Sequence, residues 1–316
     1  MQRELFRSSH GFNETNRPVQ AQQDLQRTTT IQTLDLLEQN RSALTANDWT
    51  LLSNVLHAYD SKCPLKNIRE QMEIQAKYPS KMRLKMVSAN YMNLISHFYS
   101  TIVRFVEDII HFSDLPPRDR LGLLHRNMAS LGTFHGLFIV RELNLDQNYE
   151  YNYCATETYG PNISQRISRI ASMLDQDGTL IKLLMAVLCF STCHNYFLPD
   201  DRQSNSKRKQ MQFVSQLNYD GDQSLLFLED LTSESNALSN TTNLLTIQSL
   251  YAEILFKYMV FRYGYEEAST RFATLIRVVL ELNKCLAAIR EVQPYQAMIQ
   301  EILDDTERTI SSEEST

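Results

Sequence analysis

An amphipathic run that breaks at a proline pair and resumes at once constrains this chain most. It reads VRFVEDIIHFSDLPPRDRLGLL, residues 103–124. Upstream of the break, Met92, Ile95, Tyr99, Ile102, Val106 and Ile109 keep steps of three and four. That period lines one face of an α-helix and predicts a buried stripe. Ser113 and Asp114 interrupt the period. Pro116 and Pro117 then suit a turn entering a new helix, where a missing N–H does no harm. A further helical run follows over residues 127–142.

Composition narrows the possibilities. With 316 residues, 43% of them hydrophobic, the chain can bury the core of one large domain or two small ones. Gly 8 and Pro 8 are low counts that favour long helices over a turn-rich β architecture. A formal charge of −6 argues against polyanion binding by the fold as a whole. Lys207, Arg208 and Lys209 form a basic triplet, readable as a solvated loop or as a weak nuclear-import signal. The cysteines, at 63, 154, 189, 193 and 285, are odd in number and scattered, which fits a reducing compartment. Cys189, Cys193 and His194 lack the second ligand pair of a structural zinc site, so no metal is expected. No signal-peptide pattern opens the chain, and the longest apolar run, residues 183–190, is too short for a bilayer; no membrane is expected.

Residues 1–39 are polar and largely aperiodic and are expected to form a flexible tail. One domain is expected over residues 40–305. Its first helix begins after Thr45, three residues before Asp48, a capping-box spacing, with Trp49, Leu52, Val55, Leu56 and Tyr59 on one face. Residues 61–83 read as a mixed connection with a charged helical piece, and residues 163–174 and 180–190 as amphipathic helices. Residues 200–242 are polar and read as an insertion or long loop. Leu244, Ile247, Tyr251, Ile254, Tyr258 and Phe261 then mark a helix that Gly264 stops. Phe272, Leu275, Val279, Leu282 and Leu286 mark the next, and residues 306–316 are expected to be a flexible tail.

The order of these pieces resembles the ligand-binding domain of nuclear hormone receptors. Residues 103–124 resemble the signature joining that family's third to fifth helices. The string NDWTLLSNVLHAYD is similar to its first helix, most closely in the thyroid-hormone-receptor branch. LYAEILFKYMVFRYGYEEASTRFATLIRVVLEL, with its Arg271-Phe272 pair, looks like its ninth and tenth helices. The resemblance implies an all-α, three-layer helical sandwich, divergent and orphan-like. It also implies a short β-turn region over residues 144–161.

It further implies an activation helix at Met298, Ile299, Gln300, Glu301, Ile302 and Leu303. Four apolar side chains at steps of one, three and four share a face that can dock on a groove. Glu301 at the rim can then accept from the free N–H groups that open a coactivator or corepressor helix. Where the family places a groove lysine this chain has Glu107, and the second basic position falls on His125. The usual Asp-Gln pair reads Asp119-Arg120.

The implied ligand-pocket residues are Tyr91, Leu94, Ile95 and Phe98, facing Met128, Ala129, Gly132 and Gly136. Large groups opposite small ones suit a narrow apolar cavity or a filled core. The arginine that some receptors use to hold a carboxylate falls on Ile139, so a neutral lipophilic ligand is expected, if any. The implied dimer face is Ser269, Thr274, Arg277 and Glu281, opposite the apolar stripe.

No Gly-rich phosphate loop and no nucleophile elbow occur, Glu107 and His111 lack a third ligand, and His111, His125 and His135 are dispersed. No enzyme activity and no cofactor are expected. No paired zinc modules precede the domain, so no direct DNA binding is expected. The expected function is regulation of transcription by a domain that senses a small lipophilic molecule or none, located in the nucleus, with the cytoplasm as a second location. The alternative is a ligand-independent helical module that pairs with other nuclear receptors and represses them.

Overall fold

A computed structural model of the chain describes residues 44–192 and 238–313. The helices in chain order are α1 (Ala46–Lys62), α2 (Leu65–Ala76), α3 (Ser80–Glu107), α4 (Ile110–Ser113) and α5 (Pro117–Glu142). A 3₁₀ turn, η1 (Leu145–Gln147), leads to α6 (Tyr149–Tyr159), α7 (Pro161–Met173) and α8 (Gly178–Cys189). Then come α9 (Thr241–Tyr263), α10 (Tyr265–Ile289) and α11 (Gln293–Glu313). Among the described residues there is no strand, so the fold is all-α.

Several ends follow local chemistry. Thr45 Oγ1 accepts from the Asp48 N–H at 3.2 Å while Asp48 Oδ2 accepts from the Thr45 N–H at 2.8 Å, closing the capping box. Between α3 and α4 the helical ladder breaks at Ile109, which is extended. Asn54 of α1 repairs that break, donating to the Asp108 carbonyl and accepting from the Ile110 N–H, both at 3.2 Å. α5 starts at Pro117, and Gly264, at φ 80, divides α9 from α10.

α5 is buried around most of its circumference and packs on α3, α7, α8, α10 and α11. Such a helix is the centre of a domain rather than a surface element. Its polar side chains are spent on neighbouring backbone and hydroxyls. Asn127 donates to the Cys189 and Ser191 carbonyls at 2.9 Å, satisfying the C-terminal end of α8. His135 binds the Phe98 carbonyl at 2.8 Å and the Tyr59 hydroxyl at 3.0 Å, tying α5 to α3 and α1. Asp119, also buried, accepts from the backbone N–H and the hydroxyl of Ser239. On the outside, Arg271 of α10 grips both oxygens of Asp175 at 2.8–2.9 Å and lies 4.0 Å from the centre of the Tyr263 ring.

The charged helical piece expected within residues 61–83 is α2, whose Ile68 joins the core. The structure departs from the sequence-based expectations in three places. Residues 144–161 hold no β-turn pair but η1 and α6, because the Asn148 side chain accepts from the Tyr151 N–H and caps a helix. Within the expected insertion of residues 200–242, the end is helical: α9 starts at Thr241, capped by Asn240. The rest of that insertion, the basic triplet, Cys193, His194 and the expected tail of residues 1–39 lie outside the described residues. Finally, residues 306–313 continue α11, with Thr306 and Ile310 buried. Helix α9 is long and apolar enough to cross a membrane by length and composition, but its Leu244, Ile247, Tyr251, Ile254 and Met259 are core residues.

Candidate functional site

The expected activation hexad lies within α11, which packs against α3 and α5. Met298, Ile299, Ile302 and Leu303 are buried and Glu301 is exposed, as the spacing requires of a docked amphipathic helix. Tyr295, one turn earlier, anchors the helix. Its hydroxyl accepts from Tyr99 at 3.3 Å, and the Tyr99 oxygen lies 2.6 Å from that of Thr133. Burial pushes the Tyr99 and Tyr295 hydroxyls above their usual range, so both stay protonated and available as donors. This trio joins α3, α5 and α11, and its hydroxyl pairing could not be read from the chain, although Tyr99 stands in the buried stripe. Glu107 ends α3 and His125 sits near the start of α5; both are half-buried. They therefore belong to the two helices on which α11 rests.

The eight expected pocket residues do not share one cavity. Tyr91, Ile95, Phe98, Gly132 and Gly136 border a central cavity of about 50 Å³, with Tyr151, Tyr159 and Tyr295. Leu94 borders a different and larger cleft, while Met128 and Ala129 border neither. The central volume is far below the roughly 300 Å³ at which ligand cavities usually begin. Its smallness has a specific cause. The Tyr99 ring occupies the space beside Gly132, where an added Cβ would fall 2.0 Å from Tyr99 Cδ1. Gly136 differs, since a Cβ there would make an ordinary 3.5 Å contact with Phe98.

Among the described residues no Lys or Arg lines this cavity. Ile139 is fully buried, and Arg141 is engaged elsewhere, with Glu142 at 2.6 Å, the Asp175 carbonyl and the Phe138 ring. Tyrosine hydroxyls and Thr133 supply its polarity. Among the described residues no group of three His, Cys, Asp or Glu side chains is placed to hold a metal.

The expected dimer face on α10 is exposed at Ser269, Thr274 and Arg277 and half-buried at Glu281, which pairs with Lys284 at 3.0 Å. It is more apolar than those four residues suggest. Ile276 and Leu280, exposed by 44% and 40%, stand among them one turn apart, with Ala273 on the same side. The buried stripe is correspondingly rotated. Leu275, Val278, Leu282, Cys285, Leu286 and Ile289 are its centre, and Phe272 and Val279 are only half-buried. A period of three and four can be started from more than one residue of such an apolar helix, so the spacing alone does not fix the centre of the buried stripe.

In comparisons with known proteins, no family model and no curated protein matches the chain.

Proposed function

We propose that this chain is a divergent nuclear receptor-like ligand-binding domain that regulates transcription by docking short helices from partner proteins. The observation that carries the reading is α11: four apolar hexad residues packed inward and Glu301 exposed, on a helix that packs against α3 and α5. The finer architecture, a three-layer helical sandwich, is part of the same proposal; it is supported by α5 packing on α3, α7, α8, α10 and α11, with α8 also on α1 and α9. The test is fluorescence anisotropy with labelled LxxLL-type and corepressor-type peptides on the wild-type chain and on Glu301→Lys. Binding that weakens several-fold in the variant is expected from loss of the helix-end contact. A wild-type chain that binds neither peptide class removes the reading.

One observation favours the ligand-independent branch of that reading. The central cavity of about 50 Å³ has no room for a lipid. A domain whose core is filled by its own tyrosines acts through its surfaces, by pairing with other receptors and silencing them. Mass measurement of the chain with a full-length nuclear receptor tests this: no mixed species at micromolar concentration would leave the ligand-independent branch without its partner.

A further inference from the structure

Residues 76–82, where α2 turns into α3, are exposed without interruption. Three large apolar side chains stand in water at this corner: Ile74, Met82 and Tyr78, exposed by 53%, 50% and 39%. The corner is nevertheless held in place. Ile68 of α2 is buried, and Arg83 of α3 donates to the Tyr78 carbonyl at 3.3 Å and to Glu150 of α6 at 2.7 Å. Cations surround the apolar trio. Residues 62–85 carry seven Lys and Arg against two Glu, in a chain whose net charge is −6. Lys62 pairs with Asp108 and Arg83 with Glu150. Lys66, Arg69, Lys77, Lys81 and Lys85 are exposed and make no ion pair among the described residues. Lys77 adjoins Tyr78, Lys81 adjoins Met82, and Glu73 is the single acid among residues 71–85.

That mixture selects among partners. Solvation accounts for the lysines but not for three apolar side chains exposed among them. Other exposed aromatics keep different company: Tyr149 adjoins Glu150, and Tyr265 adjoins Glu266 and Glu267. Duplex nucleic acid would meet the ammonium groups but leave Ile74 and Met82 in water. A peptide helix needs a groove, and none of the three apolar residues lines the neighbouring cleft that Leu94 borders. A bilayer with anionic headgroups satisfies both halves. Its charge draws the lysines, and the apolar groups of an exposed corner can enter beneath the headgroups, with Tyr78 at the boundary. We propose that the α2–α3 corner docks on an anionic lipid surface, with Ile74, Tyr78 and Met82 entering it and Lys77, Lys81 and Lys85 at the headgroups. Docking of this kind needs no spanning segment, and the inference does not rest on the receptor-like reading.

The test is flotation of the full chain with vesicles of phosphatidylcholine alone, and with phosphatidylserine or phosphatidylglycerol added. The chain is expected to float with both charged compositions, to stay behind with phosphatidylcholine alone, and to bind less as salt rises. Lys77→Ser, Lys81→Ser and Lys85→Ser together should weaken binding by roughly tenfold or more. Ile74→Ser with Met82→Ser should weaken it several-fold and leave the salt dependence in place. Tyr78→Trp adds an indole whose emission should shift to the blue on charged vesicles only, above the constant signal of Trp49, which packs on Phe261. All six positions are exposed, so circular dichroism should show the fold retained. Lys284→Ser on α10 removes a lysine far from this corner in sequence and should change nothing. Absence of binding to charged vesicles overturns the proposal, whether duplex DNA or a second copy is bound instead. Equal binding to neutral vesicles overturns it, as does indifference to either the lysine or the apolar set, or an equal loss in Lys284→Ser. Peptide binding is read separately, so failure to float with an active α11 surface overturns this inference alone.

Discussion

The Tyr99 ring lies against the bare Cα of Gly132, so close that any side chain at 132 would have to displace it. The glycine therefore admits a ring from α3 rather than opening a hole in α5. With the ring in place, the Tyr99 hydroxyl reaches Thr133 and Tyr295 and fastens α11 to the core.

Gly132→Ala is expected to destabilise the fold by roughly 1–3 kcal/mol or more, the usual cost of overpacking a filled core. Tyr99→Phe keeps the ring and should cost only about 1 kcal/mol, for the lost hydroxyl bonds. Urea midpoints measure both, and an alanine variant as stable as the wild type would contradict this packing.

Burial drives the His135 imidazole down to about 4, outweighing its bond to the Phe98 carbonyl, with His97 lowering it further. An unfolded histidine titrates near 6.5, so the unfolded chain takes up the proton first as pH falls. Stability should be full above that value, decline between it and about 4, and lose roughly 3 kcal/mol in all. His97, itself lowered by burial and by Arg104, adds in the same direction. The difference between wild type and His135→Gln isolates the buried ring: the variant should be weaker at neutral pH and show the shallower decline.

Glu107→Lys should strengthen binding of LxxLL-type peptides by about 1 kcal/mol or less, since a cation at the C-terminal end of α3 would face the carbonyl end of the docked helix. Anisotropy titration measures it. Unchanged or weaker binding would mean that the surface under α11 is not used in this manner.

On α10, replacing Ile276 and Leu280 together by serine should weaken any association through that face by roughly tenfold or more, given the apolar area each side chain offers. Arg277→Glu should have the smaller effect. Sedimentation of the chain alone and with a full-length receptor gives the comparison; a stable dimer indifferent to all three changes lies elsewhere.

Ile310 is fully buried near the end of α11, so Ile310→Ala should cost about 2–4 kcal/mol. Thermal unfolding measures this, and a neutral result would return residues 306–313 to the free tail that their composition suggests.

Much of the helical framework was legible because helix formation and its apolar period are local. The stripe from Ile95 to Ile109, the Thr45 cap, the Pro117 start and the Gly264 break each depend on residues within one or two turns, and each stands in the structure. Residues 144–161 misled because asparagines and tyrosines suit a turn as well as a capped helix.

The surfaces were decided by tertiary structure alone. Whether Gly132 borders a cavity or receives a ring depends on Tyr99, on a helix thirty-odd residues earlier in the chain. Which side of α10 is covered depends on α5, α7 and α9. The pairing of Arg83 with Glu150 spans 67 positions and borders a cleft that no local pattern announces. Period and capping report a residue's own helix; cavities, buried charge pairs and exposed apolar seams depend on which distant element arrives opposite, and that is settled only when the chain is packed.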